Sequence, residues 1–225
     1  MGNGPYRGKA LKIPVYCEGK TERGLKSLLA PLDGEFRRKG FAISTHPLDG
    51  NRVLQPKMGT YVKNEIRDGA PAVFGLVDLH NAHEHFGQDI RTALGGRDWL
   101  SMPVSARVEW LRTHIPRIHV DPEYKDKFHI HVAVHDIEAL ILADTDAIRK
   151  KLKCDTLKES PNPENIDDMN PPHIKLNELF HKHLKRSYNK GTDGVSLLAS
   201  LDFDTVYNKC LYFRSFVDDL RSIAP

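Results

Sequence analysis

Ile13-Pro14-Val15-Tyr16-Cys17-Glu18-Gly19-Lys20-Thr21-Glu22 reads as a short apolar strand that delivers a carboxylate, turns on a glycine and enters a helix carrying a second carboxylate. An acid at the carboxyl end of a buried strand stands where open α/β sheets place their reacting groups. Glu18 and Glu22 are four positions apart across the turn, so both side chains can face one cleft. Two close anions disfavour each other unless positive charge sits between them, and a divalent cation is the usual answer. The stretch therefore implies an α/β sheet with a metal site at its edge.

Working outward, three further strands suggest themselves. Phe41–Ser44 is short, Ala72–Val77 is nearly all apolar and closes on Asp78, and Phe128–Val134 runs into His135-Asp136-Ile137-Glu138. A continuous apolar run ending in an acid fits a central parallel strand covered on both faces. Between the strands, Thr21–Lys39 has helical spacing with Pro31 set to kink or split it, and Thr60–Arg67 and Val104–Ile115 are helical in pattern. Asn81–Arg97 reads as a polar, loop-rich stretch. Asp144 or Thr145 can cap a helix over Asp146–Lys153. The loops expected are Leu48–Arg52 with Pro56-Lys57, and the proline-rich Ser160–Pro172, followed by a helix over Ile174–His183, a basic turn and a tail of two helices. The β-then-α alternation implies parallel βαβ units and an α/β fold. The division expected is a mobile lead-in at 1–10, an α/β core at 11–155, and a helical extension at 156–225 packed on the same domain.

Composition narrows the functional classes. No apolar run approaches the roughly 20 residues that span a bilayer, and no signal peptide is evident, so a cytoplasmic protein is expected. Three widely spaced cysteines, Cys17, Cys154 and Cys210, fit neither a disulfide framework nor a CxxC zinc site. The net charge of +3 permits nucleic-acid binding without demanding it. Neither a Walker A nor a GxGxxG motif is present, so no nucleotide cofactor is indicated.

Three acidic clusters fall at strand ends: Glu18 with Glu22, Asp78, and Asp136 with Glu138. Parallel strands bring their carboxyl ends to one edge, so acids remote in sequence can converge there. Hard oxygen ligands suit Mg²⁺ or Mn²⁺, ions that act on phosphates. Taken singly, each acid is equally well a surface residue or a helix cap.

Val15-Tyr16-Cys17-Glu18-Gly19-Lys20-Thr21-Glu22 resembles the opening motif of the Toprim (topoisomerase–primase) domain, in the EGxTE form of OLD-type nucleases. Phe74-Gly75-Leu76-Val77-Asp78-Leu79-His80 is similar to the second Toprim motif, an apolar strand ending in DxD. With His135-Asp136-Ile137-Glu138-Ala139-Leu140, the chain resembles small stand-alone Toprim-like proteins found beside ATPases in bacterial defence loci. The resemblance implies a parallel sheet of about four strands between helices, and a metal-dependent nuclease acting on DNA or RNA. It makes Glu18 a metal ligand or general acid/base, Glu22 a second acid and Asp78 the first aspartate of DxD. His80 stands in place of the second aspartate; imidazole ligates Mn²⁺ but is a poor Mg²⁺ ligand. Glu138 is the candidate replacement carboxylate, and Lys190 the candidate for stabilising charge on a phosphate.

The basic turn of Lys182, Lys185, Arg186 and Lys190 suits either a nucleic-acid backbone or a solvated helix end. His80, His83 and His85 have a spacing that fits a transition metal, although their polar surroundings favour solvated loop histidines. Two rival readings use the same residues. One is an inactive module docking on a partner ATPase; the other is a phosphatase or phosphotransferase acting on a small molecule. Self-association into a homodimer stays open.

Overall fold

The computed structural model describes residues 10–48, 54–160, 162–164 and 170–224, with side chains for all of these but 54–56. The expected lead-in and parts of the Leu48–Arg52 and Ser160–Pro172 loops lie outside the described residues.

Strand β1 (Leu11–Cys17) is followed by a 3₁₀ turn (Thr21–Gly24) and helices α1 (Leu25–Leu28) and α2 (Ala30–Arg38). Pro31 falls in the first turn of α2, so the expected single helix is split beside it. Strand β2 (Phe41–Pro47), helix α3 (Leu54–Arg67) and strand β3 (Val73–Asp78) come next. Then follow α4 (Ala82–His85), α5 (Gly87–Leu94), α6 (Val104–His119) and strand β4 (Phe128–Ala133). The rest is helical: α7 (Glu138–Ala143), α8 (Thr145–Leu152), α9 (Pro172–Leu184), α10 (Val195–Ser200), α11 (Phe203–Lys209) and α12 (Leu211–Ile223). A single π turn, Lys190–Gly194, leads into α10.

The four strands form one all-parallel sheet in the order β2-β1-β3-β4. The expected α/β class, a parallel sheet flanked by helices with a helical C-terminal region, is what the chain adopts. Successive residues alternate between faces. Ile13, Val15, Cys17 and Phe74 pack into a cluster shared with α1, α2 and the C-terminal helices, whereas Tyr16, Val73, Val77, Ile130 and Val132 pack against α3, α5 and α6. Burial on both faces explains why β3 is apolar throughout. His129 and His131 share one face, stacking on Phe74 at 4.9 and 5.8 Å between ring centroids.

The β2 edge is blunted. Leu48 N–H donates to the Cys17 carbonyl, which turns positions 41, 43, 45 and 47 outward. Asp33 takes the outward N–H of Ile43 at 2.8 Å, and Pro47 has none to offer. The C-terminal region docks through α12, whose buried Phe213, Phe216, Val217 and Leu220 are spaced as one helical face. Each such side chain contributes about 1.5–3 kcal/mol on burial.

Several boundaries differ from the sequence expectations. The stretch expected to be loop at 81–97 contains α4 and α5, anchored by buried Phe86, Ile90 and Leu94. Helix α6 runs four residues past Ile115, through Pro116, because a missing donor near the last turn forfeits only one bond. The tail holds three helices rather than two: Asp202 caps α11, and the chain becomes extended at Cys210. Asp144 caps α8, as its position suggested.

Candidate metal centre

From β1 the chain crosses to β2 on one side of the sheet and then returns to β3 on the other. The crevice between the carboxyl ends of β1 and β3 is therefore a topological switch point, where open α/β sheets bind ligands. Glu18 follows β1 and Asp78 ends β3, so register alone places both acids at this crevice. Their backbones and side chains meet: a Glu18 carboxylate oxygen accepts the Asp78 N–H at 3.2 Å. Asp78 in turn accepts the Ile137 N–H at 3.0 Å, which draws in the turn after β4.

Glu22 reaches back across the 3₁₀ turn to accept the Gly19 N–H at 2.8 Å. A Cβ at position 19 would lie 2.7 Å from a Glu22 oxygen, so a side chain there would push the Glu22 carboxylate off the Gly19 N–H. On the far side Glu138 is fully buried. It accepts the Thr21 hydroxyl at 2.8 Å and the Tyr188 hydroxyl at 3.3 Å, and pairs with Lys190 Nζ at 3.3 Å. Thr21 also donates to the Lys190 carbonyl at 3.3 Å, so the EGKTE turn and the π turn hold each other. That π turn is fixed by Asp193, which makes two bonds to Arg186 at 2.6 and 2.8 Å. Asp136 Oδ2 faces the His173 ring nitrogen Nδ1 at 2.5 Å, whereas its buried Oδ1 has no hydrogen-bond partner among the described residues.

Five carboxyl groups thus lie buried at one sheet edge: Glu18, Glu22, Asp78, Asp136 and Glu138. Burial pushes Glu18 up to about 8, with the Glu22 charge adding to the rise and the Asp78 N–H opposing it. Burial likewise pushes Glu22 up to about 7, against the Gly19 N–H. For Asp78, burial and then the charges of Glu22, Asp136, Glu18 and Glu138 hold the carboxyl well above its usual range. Glu138 is raised by burial and by Asp136, and opposed by Lys190 and Thr21. Lys190 shows the converse: burial disfavours its charge, but Glu138, Asp78 and Asp136 outweigh this and raise its pKa. The edge gathers more acids than one lysine can neutralise, so burial and mutual repulsion favour their protonated forms until a cation arrives. Burial, then the same acids, pushes the Cys17 thiol far up, so it is no thiolate nucleophile.

Among the described residues no three His, Cys, Asp or Glu side chains stand close enough to hold an ion as they are. One oxygen each of Glu18, Glu22 and Asp78 accepts a backbone N–H instead. The donor set nonetheless fits a hard divalent cation: it is all carboxylate, it is short of positive charge, and it includes a buried oxygen with nothing donating to it.

Of the residues singled out in the sequence, Glu18, Glu22, Asp78, Glu138 and Lys190 come together. His80 lies at the rim, its N–H on the His135 carbonyl and its ring 6.0 Å from that of His173. Of the other two histidines of that run, His83 is exposed, whereas His85 is buried with Nε2 3.8 Å from a Glu18 oxygen. His85 thus departs from the solvated-loop expectation, because α4 turns it inward. Thr21, Tyr188 and His173 received no role from the sequence. Thr21 lies inside the motif itself, but a hydroxyl bonded to a residue 117 positions away leaves no local pattern.

No helix among the described residues is long and apolar enough to cross a membrane. No curated protein and no solved structure matches the chain. Residues 17–221 match DUF4276, described as a domain of unknown function, a span that takes in both the strand-end acids and the C-terminal helices that hold Lys190 and His173. The chain therefore belongs to the DUF4276 family.

Proposed function

We propose that this protein is a divalent-cation-dependent nuclease of Toprim-like type, using Mg²⁺ or Mn²⁺ to cleave phosphodiester bonds of DNA or RNA. The observation that carries this reading is the convergence of five buried acids and one lysine at the switch point of a parallel sheet. Glu18, Glu22 and Asp78 would hold the cation together with a carboxylate from the turn after β4. A bound cation would polarise a phosphoryl oxygen and lower the pKa of water. Lys190 remains 44% exposed at its side chain while touching Glu138, so it can reach a phosphate at the mouth of the site. There it stabilises the charge that builds on the phosphoryl group. Lys182 and Lys185 are exposed near the C-terminus of α9 and would supply contacts to a nucleic-acid backbone, whereas Arg186 is engaged by Asp193. The sequence resemblance adds prokaryotic antiviral defence as the setting, with an ATPase as partner; the cytoplasm as location rests on composition alone.

The test is cleavage of plasmid DNA, single-stranded DNA and tRNA by purified protein with Mn²⁺, Mg²⁺ or EDTA. Cleavage that needs the cation and disappears in Glu18→Ala supports the proposal. Cleavage in EDTA, or undiminished in Glu18→Ala, removes it. A second reading, an inactive module that docks on an ATPase, draws on the acids being turned to backbone donors and on His80 at the rim. Under that reading the protein binds neither Mn²⁺ nor Mg²⁺ at millimolar concentration.

A further inference from the structure

Two carboxylates follow β4, and they have different surroundings. Both oxygens of Glu138 are engaged, one by the Thr21 and Tyr188 hydroxyls and the other by Lys190. Turning Glu138 toward an ion would break all three contacts to this fully buried carboxylate. Asp136 is 1% exposed. Its Oδ2 accepts from the His173 ring at 2.5 Å and lies 3.4 Å from the His173 backbone N–H, at the start of the 13-residue helix α9. The helix end and the ring together fix the orientation of this oxygen. Its Oδ1 is buried and has no hydrogen-bond partner among the described residues. The next residue, Ile137, donates its N–H to Asp78, so Asp136 sits directly beside the acid that ends β3. A buried carboxylate oxygen that nothing donates to is an unusual feature that calls for an ion or a water.

We propose that Asp136 supplies the cation ligand from the β4 side and that Glu138 instead holds Lys190 in place; the assignment rests on the cation-dependent reading above. Asp136 is then a binding residue, with His173 orienting it. Glu138 is a positioning residue that acts through Lys190.

The experiment is calorimetric titration of Mn²⁺ into the full chain, wild type and variants, with folding checked by circular dichroism. Asp136→Asn is expected to weaken Mn²⁺ binding at least tenfold, and Glu138→Gln to leave it within threefold. Should Asp136→Asn fail to fold, Asp136→Glu keeps the charge but displaces the oxygen, and is expected to weaken binding at least threefold. In parallel, acetylation of Lys190 by a water-soluble reagent, followed by mass spectrometry, is expected to speed up at least threefold in Glu138→Gln. Binding lost in Glu138→Gln as fully as in Asp136→Asn overturns the assignment, as does unchanged binding in the Asp136 variants or unchanged labelling of Lys190 in Glu138→Gln. If wild-type protein binds no Mn²⁺ at all, the cation-dependent reading falls and takes this assignment with it. Wild-type binding that the Asp136 variants leave intact sinks the assignment alone.

Discussion

Replacing Glu18 by glutamine will stabilise the ion-free protein at alkaline pH. Burial raises the Glu18 carboxyl from an ordinary 4.5 to about 8, so the folded state holds this proton more tightly than the unfolded chain does. The contribution is fully present below pH 4.5 and is lost as pH rises through about 8. A shift of about 3.5 units, at roughly 1.4 kcal/mol each, sets an upper limit of about 5 kcal/mol on that loss. Glutamine carries no charge to desolvate, and its carbonyl can still accept the Asp78 N–H that Glu18 accepts at 3.2 Å. The assay is urea unfolding in EDTA at pH 5 and pH 9. The two proteins should nearly coincide at pH 5, and Glu18→Gln should be the more stable by up to about 5 kcal/mol at pH 9. Replacing EDTA by Mn²⁺ should narrow that gap, because wild type gains more from binding. A variant less stable than wild type at pH 9, or a gap that does not change with pH, would refute the reasoning.

Three other outcomes are expected. Lys190→Met should lower cleavage by about 10²–10³-fold with Mn²⁺ binding retained, since the lysine serves the phosphate rather than the ion; paired activity and calorimetry measurements check this. Gly24→Ala should destabilise by about 1–3 kcal/mol in urea, because a Cβ there would lie 2.6 Å from the Val195 carbonyl oxygen and wedge α10 away from the 3₁₀ turn. The Arg186 bonds hold the Asp193 carboxyl below its usual range, so that stabilisation is present above the ordinary aspartate pKa and fades as pH falls through the lowered value. Arg186→Met should therefore destabilise at pH 7, with the gap to wild type closing in acid; a gap that widens as pH falls would contradict it.

The part of the site that lies along the strands could be read from the chain. Cys17 and Val77 close apolar runs onto Glu18 and Asp78, and parallel pairing then needs no further information to bring those acids together. The EGKTE turn gave Glu22 in the same way, through spacing alone. What the chain did not reveal depends on which side-chain atom meets which. Asp136 and Glu138 are two residues apart and equally acidic, and only the donors from Thr21, Tyr188, Lys190 and His173 separate them. Those donors come from segments as much as 117 residues away, joined by helix packing that has no local signature. The helices at 82–94 escape a reading of the chain because polar residues fill their exposed faces, and Ala82, His85, Phe86, Ile90 and Leu94 suffice to hold them. His85 was misjudged with them.

Diffraction from crystals soaked in Mn²⁺, collected where manganese scatters anomalously, tests the central claim most directly. The account predicts one strong anomalous peak in the crevice between β1 and β3, about 2.0–2.4 Å from oxygens of Glu18 and Asp78. A crevice with no peak at millimolar Mn²⁺, with both carboxylates still on their backbone N–H partners, would contradict it.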